Sequence, residues 1–148
     1  MTELSDLYRD VIVDHNRRPR NAGRLDCPTH QAEGDNPLCG DRLRLFVDLQ
    51  DDRIRDLRFE NAGCAISTAS ASLMSEAVKG RSRAEVQALF ESVHRMLTEH
   101  GAAPAASLGK LAALAGVRQY PARVKCASLC WHTLNAALAG SADPVTTE

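Results

Sequence analysis

Apolar residues recur at helical spacing near the start of the chain and at strand spacing further along. Residues 3–16 place an apolar stripe on one helix face, which a proline soon afterwards ends. From about residue 29, apolar and polar residues alternate, and this predicts strands over residues 43–49 and 54–59. The alternation breaks after Ile54, which predicts a bulge. Together with a shorter strand before Gly34, the pattern predicts a small antiparallel three-stranded sheet.

Helical spacing returns after the second long strand and continues almost to the end of the chain. One apolar stripe predicts a helix over residues 65–80, and Ser82–Glu85 forms a capping box that opens the next helix. An alanine-rich linker over residues 102–106 precedes a short helix near residues 108–115. A last helix begins at about Pro121, because proline is well tolerated in a first helical turn.

The whole chain is predicted to form one α+β domain, residues 1–148, with a disordered tail at about residues 141–148. Its 18 Lys and Arg residues nearly balance 19 Asp and Glu residues, so we expect no nucleic-acid partner. No apolar run is long enough to cross a membrane, and the acidic N-terminal residues are not typical of a signal peptide. We therefore expect a cytoplasmic protein with no membrane partner.

The cysteines are the residues of this chain that best carry chemistry. Structural disulfides are not expected in the cytoplasm, so the five thiols are candidate ligands, nucleophiles or core residues. Four of them lie at a predicted element junction or near the start of an element: Cys39 in a turn before a strand, Cys64 between a strand and a helix, and Cys126 and Cys130 in the last helix. The fifth, Cys27, precedes Pro28 in a loop. A helix N-terminus presents unpaired amides, which favour a thiolate.

Asp41 strengthens the case for a metal site. It lies two residues from Cys39, and residues i and i+2 of an extended turn point the same way, so a thiolate and a carboxylate can address one cation. Gly40 between them permits a tight backbone. There is no Cys-x-x-Cys pair of the zinc-ribbon type. The residues alone therefore leave both metal binding and buried, inert thiols open.

Several segments resemble the U-type iron–sulfur cluster assembly proteins, the family of IscU and of the NifU N-terminal domain. The segments are YRDVI at 8–12, DHN and PRN at 14–16 and 19–21, NPLCGD at 36–41, GCAIS at 63–67 and PARVKCASLCW at 121–131. The resemblance covers residues from about 8 to 138, and three cysteine motifs occur in the family's order. It implies a SufE/IscU-like fold, a small sheet packed against several helices.

Two features resemble the SUF-type, SufU-like branch of that family rather than the ISC-type scaffold branch. In the scaffold branch the third cysteine follows a histidine and an apolar, proline-containing chaperone-recognition motif, whereas here Lys125 precedes Cys126 and no such motif occurs. In addition, Cys64 and Cys126 lie 62 positions apart, which is longer than the scaffold branch usually shows. Members of the SUF-type branch bind zinc and take sulfur from a cysteine desulfurase. The resemblance therefore implies Zn²⁺ ligation by Cys39, Asp41, Cys64 and Cys126, with Cys39 as the catalytic sulfur acceptor.

Three further residues are possible accessories to such a site. Arg123 and Lys125 flank Cys126, where they could offset the negative charge of the ligands or simply lie solvated at the surface. Cys130 departs from the SUF-type pattern, which commonly has no thiol there. It is a candidate alternative fourth ligand or second sulfur acceptor.

The function that we expect from these residues is sulfur transfer. The protein would accept persulfide sulfur from a SufS-like cysteine desulfurase and pass it to downstream iron–sulfur scaffold proteins, which is a sulfurtransferase activity. The alternative is a scaffold that assembles and transfers a [2Fe–2S] cluster, with iron in place of zinc on the same cysteines. A zinc-stabilised structural module without chemistry is a third interpretation.

Overall fold

A mixed four-stranded sheet packed against helices forms the α+β core of the molecule. A computed structural model of the chain describes residues 3–37, 40–99, 106–140 and 144–146. The sheet consists of β1 (His30–Asn36), β2 (Asp41–Gln50), β3 (Arg53–Ala62) and β4 (Val145–Thr146), in the order β3-β2-β1-β4. The three long strands are antiparallel, as their alternation predicts, and the α+β class is confirmed.

The fourth strand corrects the expectation of three strands. Val145 and Thr146 pair in parallel with Gly34 and Asp35 of β1. This part of the predicted disordered tail is therefore ordered; residues 141–143 and 147–148 lie outside the described residues. A two-residue strand shows no alternation of polar and apolar residues, so the sequence pattern could not reveal it.

The bulge predicted in β3 is confirmed by the pairing of β2 with β3. Asp48 pairs with Asp56 and Leu49 pairs with Ile54, which leaves Arg55 as the extra residue. The tight hairpin between these strands places Asp51 and Asp52 at φ angles of 52° and 64°. Aspartate tolerates this left-handed conformation better than most residues, and two such residues suit a two-residue hairpin.

Four α-helices and one 3₁₀ segment are described. They are α1 (Glu3–Arg17), α2 (Ala65–Val78), α3 (Arg83–Thr98), the 3₁₀ segment (Ala106–Gln119) and α4 (Pro121–Leu138). The capping box of α3 is confirmed, because the Ser82 and Glu85 side chains each accept the other's backbone N–H. None of the described helices is long and apolar enough to span a bilayer.

The 3₁₀ segment differs from the short helix that was expected there. It is longer at both ends, and a kink at Gly109, with φ of 53° and ψ of −127°, divides it in two. A glycine adopts this backbone conformation without steric cost, which other residues rarely can. Most of the alanine-rich linker predicted over residues 102–106 lies outside the described residues, which resume at Ala106.

α2 and α4 form the layer that covers the sheet. α2 packs on β3, with α1 on its other side, and α4 packs on β1 and β2. The approach of α4 to β1 is close, because a Cβ added to Gly34 would overlap the Thr133 hydroxyl and lie 3.1 Å from Leu129 Cδ1. The glycine therefore fixes how α4 lies on the sheet.

A buried histidine at the end of α1 joins this helix to α2. Nδ1 of His15 lies 2.7 Å from the Ser72 hydroxyl, and Nε2 lies 3.5 Å from a Glu76 carboxylate oxygen. The same Ser72 hydroxyl accepts the backbone N–H of Arg20 at 2.8 Å. Burial lowers the pKa of His15 below its ordinary value, with a further decrease from the positive charge of Arg20.

Candidate metal centre

Three of the four predicted ligands come together where the sheet meets the two central helices. Asp41 is the first residue of β2, Cys64 is the N-cap of α2, and Cys126 lies in the second turn of α4. One carboxylate oxygen and the two sulfur atoms all lie within 4.8 Å of one another. The fourth predicted ligand and acceptor, Cys39, lies outside the described residues, two positions before Asp41.

The Asp41 carboxylate is fully buried and is held against the backbone at Cys64. Oδ1 accepts the N–H of Cys64 at 2.9 Å, and Oδ2 lies 4.0 Å from the Cys64 sulfur. A buried carboxylate is costly unless hydrogen bonds and a positive charge compensate it. An acidic side chain of this kind is therefore a natural cation ligand.

Gly63 makes this close approach possible. A Cβ at this position would overlap Asp41 Oδ1 and lie 2.9 Å from Cγ and 3.2 Å from Cα of the same residue. The contact is a requirement of the site that the sequence analysis missed. Its signal was the position of the glycine directly before a candidate ligand, at the junction of a strand and a helix.

The two cysteines differ in exposure. Cys64 is half-buried, and its sulfur accepts the N–H of Ser67 at 3.4 Å, so the thiol itself caps α2. Cys126 is buried, and its thiol donates to the Ala122 carbonyl at 3.5 Å. Solvent can therefore reach the Asp41–Cys64–Cys126 group from the side of Cys64, whereas Asp41 and Cys126 are buried.

Of the two predicted accessory cations, Arg123 is the one whose pKa responds to the two cysteines. Its side chain is exposed. The negative charge of the Cys64 thiolate, followed by the interaction with the Cys126 side chain, raises the pKa of Arg123. Lys125, two residues further along, has an exposed side chain.

Cys130 lies apart from the Asp41–Cys64–Cys126 group. Its sulfur is buried 3.4 Å from the Ser70 hydroxyl, which itself donates to the Ala127 carbonyl at 2.6 Å. Burial raises the pKa of Cys130 to about 12. It is therefore a neutral thiol near pH 7, a state that does not favour metal ligation or nucleophilic attack. Sequence analysis assigned no role to Ser70.

The donor set fits a tetrahedral transition-metal ion. Zinc is commonly bound by cysteine sulfur and carboxylate oxygen, and in a tetrahedral site neighbouring donors lie roughly 3.5–4 Å apart. The distance of 4.0 Å between Asp41 Oδ2 and the Cys64 sulfur is close to that spacing. Cysteine-rich sites also hold iron in iron–sulfur clusters, so the same donors suit either zinc or iron.

The fold and this group of ligands define the class of protein. The chain belongs to the NifU-like N-terminal domain family, which it matches over residues 7–127. The resemblance to the U-type iron–sulfur assembly proteins is thereby confirmed.

Individual relatives cover nearly the whole chain. The zinc-dependent sulfurtransferase SufU of Bacillus subtilis is 40% identical over 92% of this chain and 92% of its own. The iron–sulfur cluster assembly scaffold protein IscU of Streptococcus pyogenes serotype M1 is 38% identical over 97% of this chain and 89% of its own.

A solved structure confirms the expected fold. It is a putative iron–sulfur cluster assembly scaffold protein for the SUF system from Fervidobacterium islandicum, with a TM-score of 0.81 and 32% identity. The alignment covers 87% of this chain and 94% of that one. The SufE/IscU-like arrangement that the motifs implied is therefore the observed one.

Proposed function

We propose that this protein is a zinc-dependent sulfur-transfer protein that accepts persulfide sulfur from a cysteine desulfurase for iron–sulfur cluster assembly. The observation that carries the proposal is the convergence of Asp41, Cys64 and Cys126, with all donor atoms within 4.8 Å. Cys39 is two positions before Asp41 in the sequence, and the Cys64 side of the group is accessible from solvent.

One relative and two features of the sequence support zinc and sulfur transfer over a scaffold function. The Bacillus subtilis relative, named a zinc-dependent sulfurtransferase, aligns over 92% of both chains. Lys125 before Cys126 and the long interval between Cys64 and Cys126 are the SUF-type features of this sequence. In the structure this interval contains α2, α3, the 3₁₀ segment and the first turn of α4.

The ligand residues would have distinct roles. Cys39, Asp41, Cys64 and Cys126 would hold Zn²⁺, whose charge keeps thiolates deprotonated and ordered. The Cys39 thiolate would attack the outer sulfur of the persulfide on the desulfurase. A new S–S bond forms at Cys39, the old one breaks, and the donor cysteine leaves as a thiolate. The exchange needs no external oxidant or reductant.

The partners in this proposal are a SufS-like cysteine desulfurase as donor and iron–sulfur scaffold proteins as downstream acceptors. The second candidate function is itself a scaffold function, with a [2Fe–2S] cluster on the same cysteines. The Streptococcus pyogenes relative, named a scaffold protein and 38% identical, favours this alternative. A cytoplasmic location stays a prediction.

Metal analysis separates the two functions. Protein purified without added metal should contain about one zinc per chain and no visible absorbance band. A brown protein that contains iron would support the scaffold function and contradict the proposal.

Sulfur loading tests the role of Cys39. Incubation with a cysteine desulfurase and cysteine, followed by alkylation and peptide mass spectrometry, should locate one extra sulfur on Cys39. Cys39→Ala should abolish loading and any stimulation of the desulfurase, whereas Cys27→Ser, a change at an exposed thiol outside the group, should preserve both. Extra sulfur on Cys130 with Cys39 unmodified would refute the mechanism.

A further inference from the structure

The first turn of α2 is capped by a sulfur atom. Cys64 is the N-cap of this helix, and its sulfur accepts the backbone N–H of Ser67 at 3.4 Å. Side chains with oxygen are the preferred caps, and a cysteine sulfur is a weak hydrogen-bond acceptor. In α3, by comparison, the Ser82 hydroxyl accepts the N–H of Glu85 at 3.2 Å. The sulfur cap by itself therefore holds the first turn of α2 weakly.

A second hydrogen bond at the start of α2 also involves a candidate metal ligand. Asp41 Oδ1 accepts the backbone N–H of Cys64 at 2.9 Å. In a capping box, the residue at the third helical position makes this contact with a Glu or Gln side chain. That position of α2 is Ser67, so the carboxylate of Asp41 takes its place from β2. Both groups that cap α2 are thus candidate ligands, and a metal ion would bind to the same sulfur and carboxylate.

Asn61 supplies an anchor for α2 that is not itself a candidate ligand. It lies in β3, three residues before Cys64, and its side chain is half-buried. Its Nδ2 donates to the Thr68 hydroxyl at 2.7 Å, and its Oδ1 accepts the Ser67 hydroxyl at 3.3 Å. One amide side chain therefore ties the end of β3 to two consecutive residues at the start of α2.

Ser67 connects this anchor to the sulfur of Cys64. Its backbone N–H donates to the sulfur, while its hydroxyl donates to Asn61. Ser67 is buried, so the loss of Asn61 would leave its hydroxyl without the partner that the structure gives it. The turn would then shift to satisfy that hydroxyl, and the N–H would move away from the sulfur. Hydrogen bonds to metal-binding groups orient those groups and adjust their affinity for the metal.

We propose that Asn61 is a positioning residue of the candidate metal centre, an inference that rests on the metal-binding part of the proposed function. It fixes the first turn of α2, and this keeps the sulfur of Cys64 close to the donor atoms of Asp41 and Cys126. Asn61 acts through Ser67, so it needs no contact with the metal. Ligands that are already held in place in the metal-free protein bind a metal ion more tightly.

The test measures metal binding by the full chain without a desulfurase. Asn61→Ala removes both contacts, Thr68→Val removes one hydroxyl at almost constant shape, and Thr68→Ser restores that hydroxyl. Ser75→Ala is the matched control, because the buried Ser75 hydroxyl also ties α2 to another segment. It accepts from Asn21 at 2.9 Å and donates to the Arg20 carbonyl at 3.2 Å, about three helical turns from the N-cap.

Three quantities are compared for each protein. Zinc affinity is measured by competition with a chromophoric chelator, and the free energy of unfolding is measured on the metal-free protein. The third quantity is the absorption spectrum of the Co²⁺-substituted protein, whose sulfur-to-metal charge-transfer band reports the thiolate ligands directly. A merely structural role of Asn61 would change the free energy of unfolding and leave this spectrum as it is.

Asn61→Ala should bind zinc about 10- to 100-fold more weakly and should shift the Co²⁺ spectrum. Thr68→Val should change both quantities in the same direction, whereas Thr68→Ser should match the unmodified protein. Ser75→Ala should lower the free energy of unfolding and leave zinc affinity and the spectrum unchanged. Unchanged zinc affinity in Asn61→Ala would overturn the inference, and so would an equal loss of affinity in Ser75→Ala. If Asn61→Ala does not fold, the comparison of Thr68→Val with Thr68→Ser decides.

Failure of the proposed function gives a different result. An unmodified protein that binds neither zinc nor cobalt refutes the metal centre, and the inference is refuted together with it. An unmodified protein that binds zinc but accepts no persulfide sulfur refutes sulfur transfer alone, and the variants then still decide the role of Asn61. If all variants bind zinc as tightly as the unmodified protein, the proposed function stands and only the inference fails.

Discussion

Substitution of Gly63 by alanine tests whether the Asp41 carboxylate is a ligand. The added methyl group would overlap Asp41 Oδ1 and lie 2.9 Å from Cγ, whereas carbon atoms in contact are about 3.5–4.0 Å apart. Gly63 does not have a positive φ, so the new side chain strains no backbone conformation. The change therefore acts through the contact with Asp41.

The structure suggests the size of the effect. Asp41 is fully buried and its Cα would lie 3.2 Å from the new Cβ, so rotation of the carboxylate alone relieves only part of the overlap. Insertion of a methyl group into a packed site costs about 1–3 kcal/mol of stability. A change beside a metal ligand typically reduces metal affinity about 10- to 100-fold, and we expect a reduction in this range for zinc.

Zinc affinity can be measured by competition with a chromophoric chelator, and stability by thermal unfolding. Gly116→Ala is the control, because a Cβ at this glycine has no neighbour within 4 Å and its φ is not positive. In an Asp41→Ala background the Gly63→Ala substitution should cost less stability, since Oδ1 and Cγ are absent. Zinc affinity equal to that of the unmodified protein in Gly63→Ala would refute the assignment of Asp41.

Three further predictions concern the rest of the fold. Gly34→Ala should destabilise the protein by about 1–3 kcal/mol in urea unfolding, and Thr133→Ala should relieve part of this loss; additive effects would contradict the proposed overlap. Cys130, whose pKa burial raises to about 12, should react with iodoacetamide at pH 8 far more slowly than exposed Cys27, as measured by peptide mass spectrometry, until denaturant is added. The pKa of His15 is lowered in the folded state, so below about pH 6.5 the unfolded chain takes up a proton before the folded one, and stability should fall as the pH decreases. His15→Gln should reduce the dependence of unfolding free energy on pH. An equal dependence in both proteins would contradict the argument.

Local patterns in the sequence predicted most of the elements. Alternation gave β2 and β3, and the break after Ile54 located the bulge at Arg55. The capping box at Ser82 located the start of α3. The pattern failed where structure depends on distant partners: β4 exists because Val145 and Thr146 pair with β1, and no local signal encodes that pairing.

The candidate site likewise combines residues that local motifs identify with contacts that depend on distant parts of the chain. Motifs identified Asp41, Cys64 and Cys126, but only tertiary packing of α2 and α4 on the sheet brings their donor atoms together. Cys126 and Cys130 are one helical turn apart, so sequence spacing could not distinguish their environments. The structure distinguishes them, because Cys130 contacts Ser70 of α2 in the core.

The edges of β1 and β3 that face away from β2 both carry backbone hydrogen bonds. β4 occupies the edge of β1 at Gly34 and Asp35, and on the opposite edge the backbone of Phe59 exchanges hydrogen bonds with Asn21 and Gly23 at 3.0 and 2.8 Å. A partner protein cannot pair a strand of its own with β1 or β3 at these positions, which also limits aggregation between copies. Under the proposed function, recognition of a sulfur donor at these positions would depend on side chains and their charges, so that point substitutions on the surface, rather than changes in backbone pairing, would determine which partners this protein accepts.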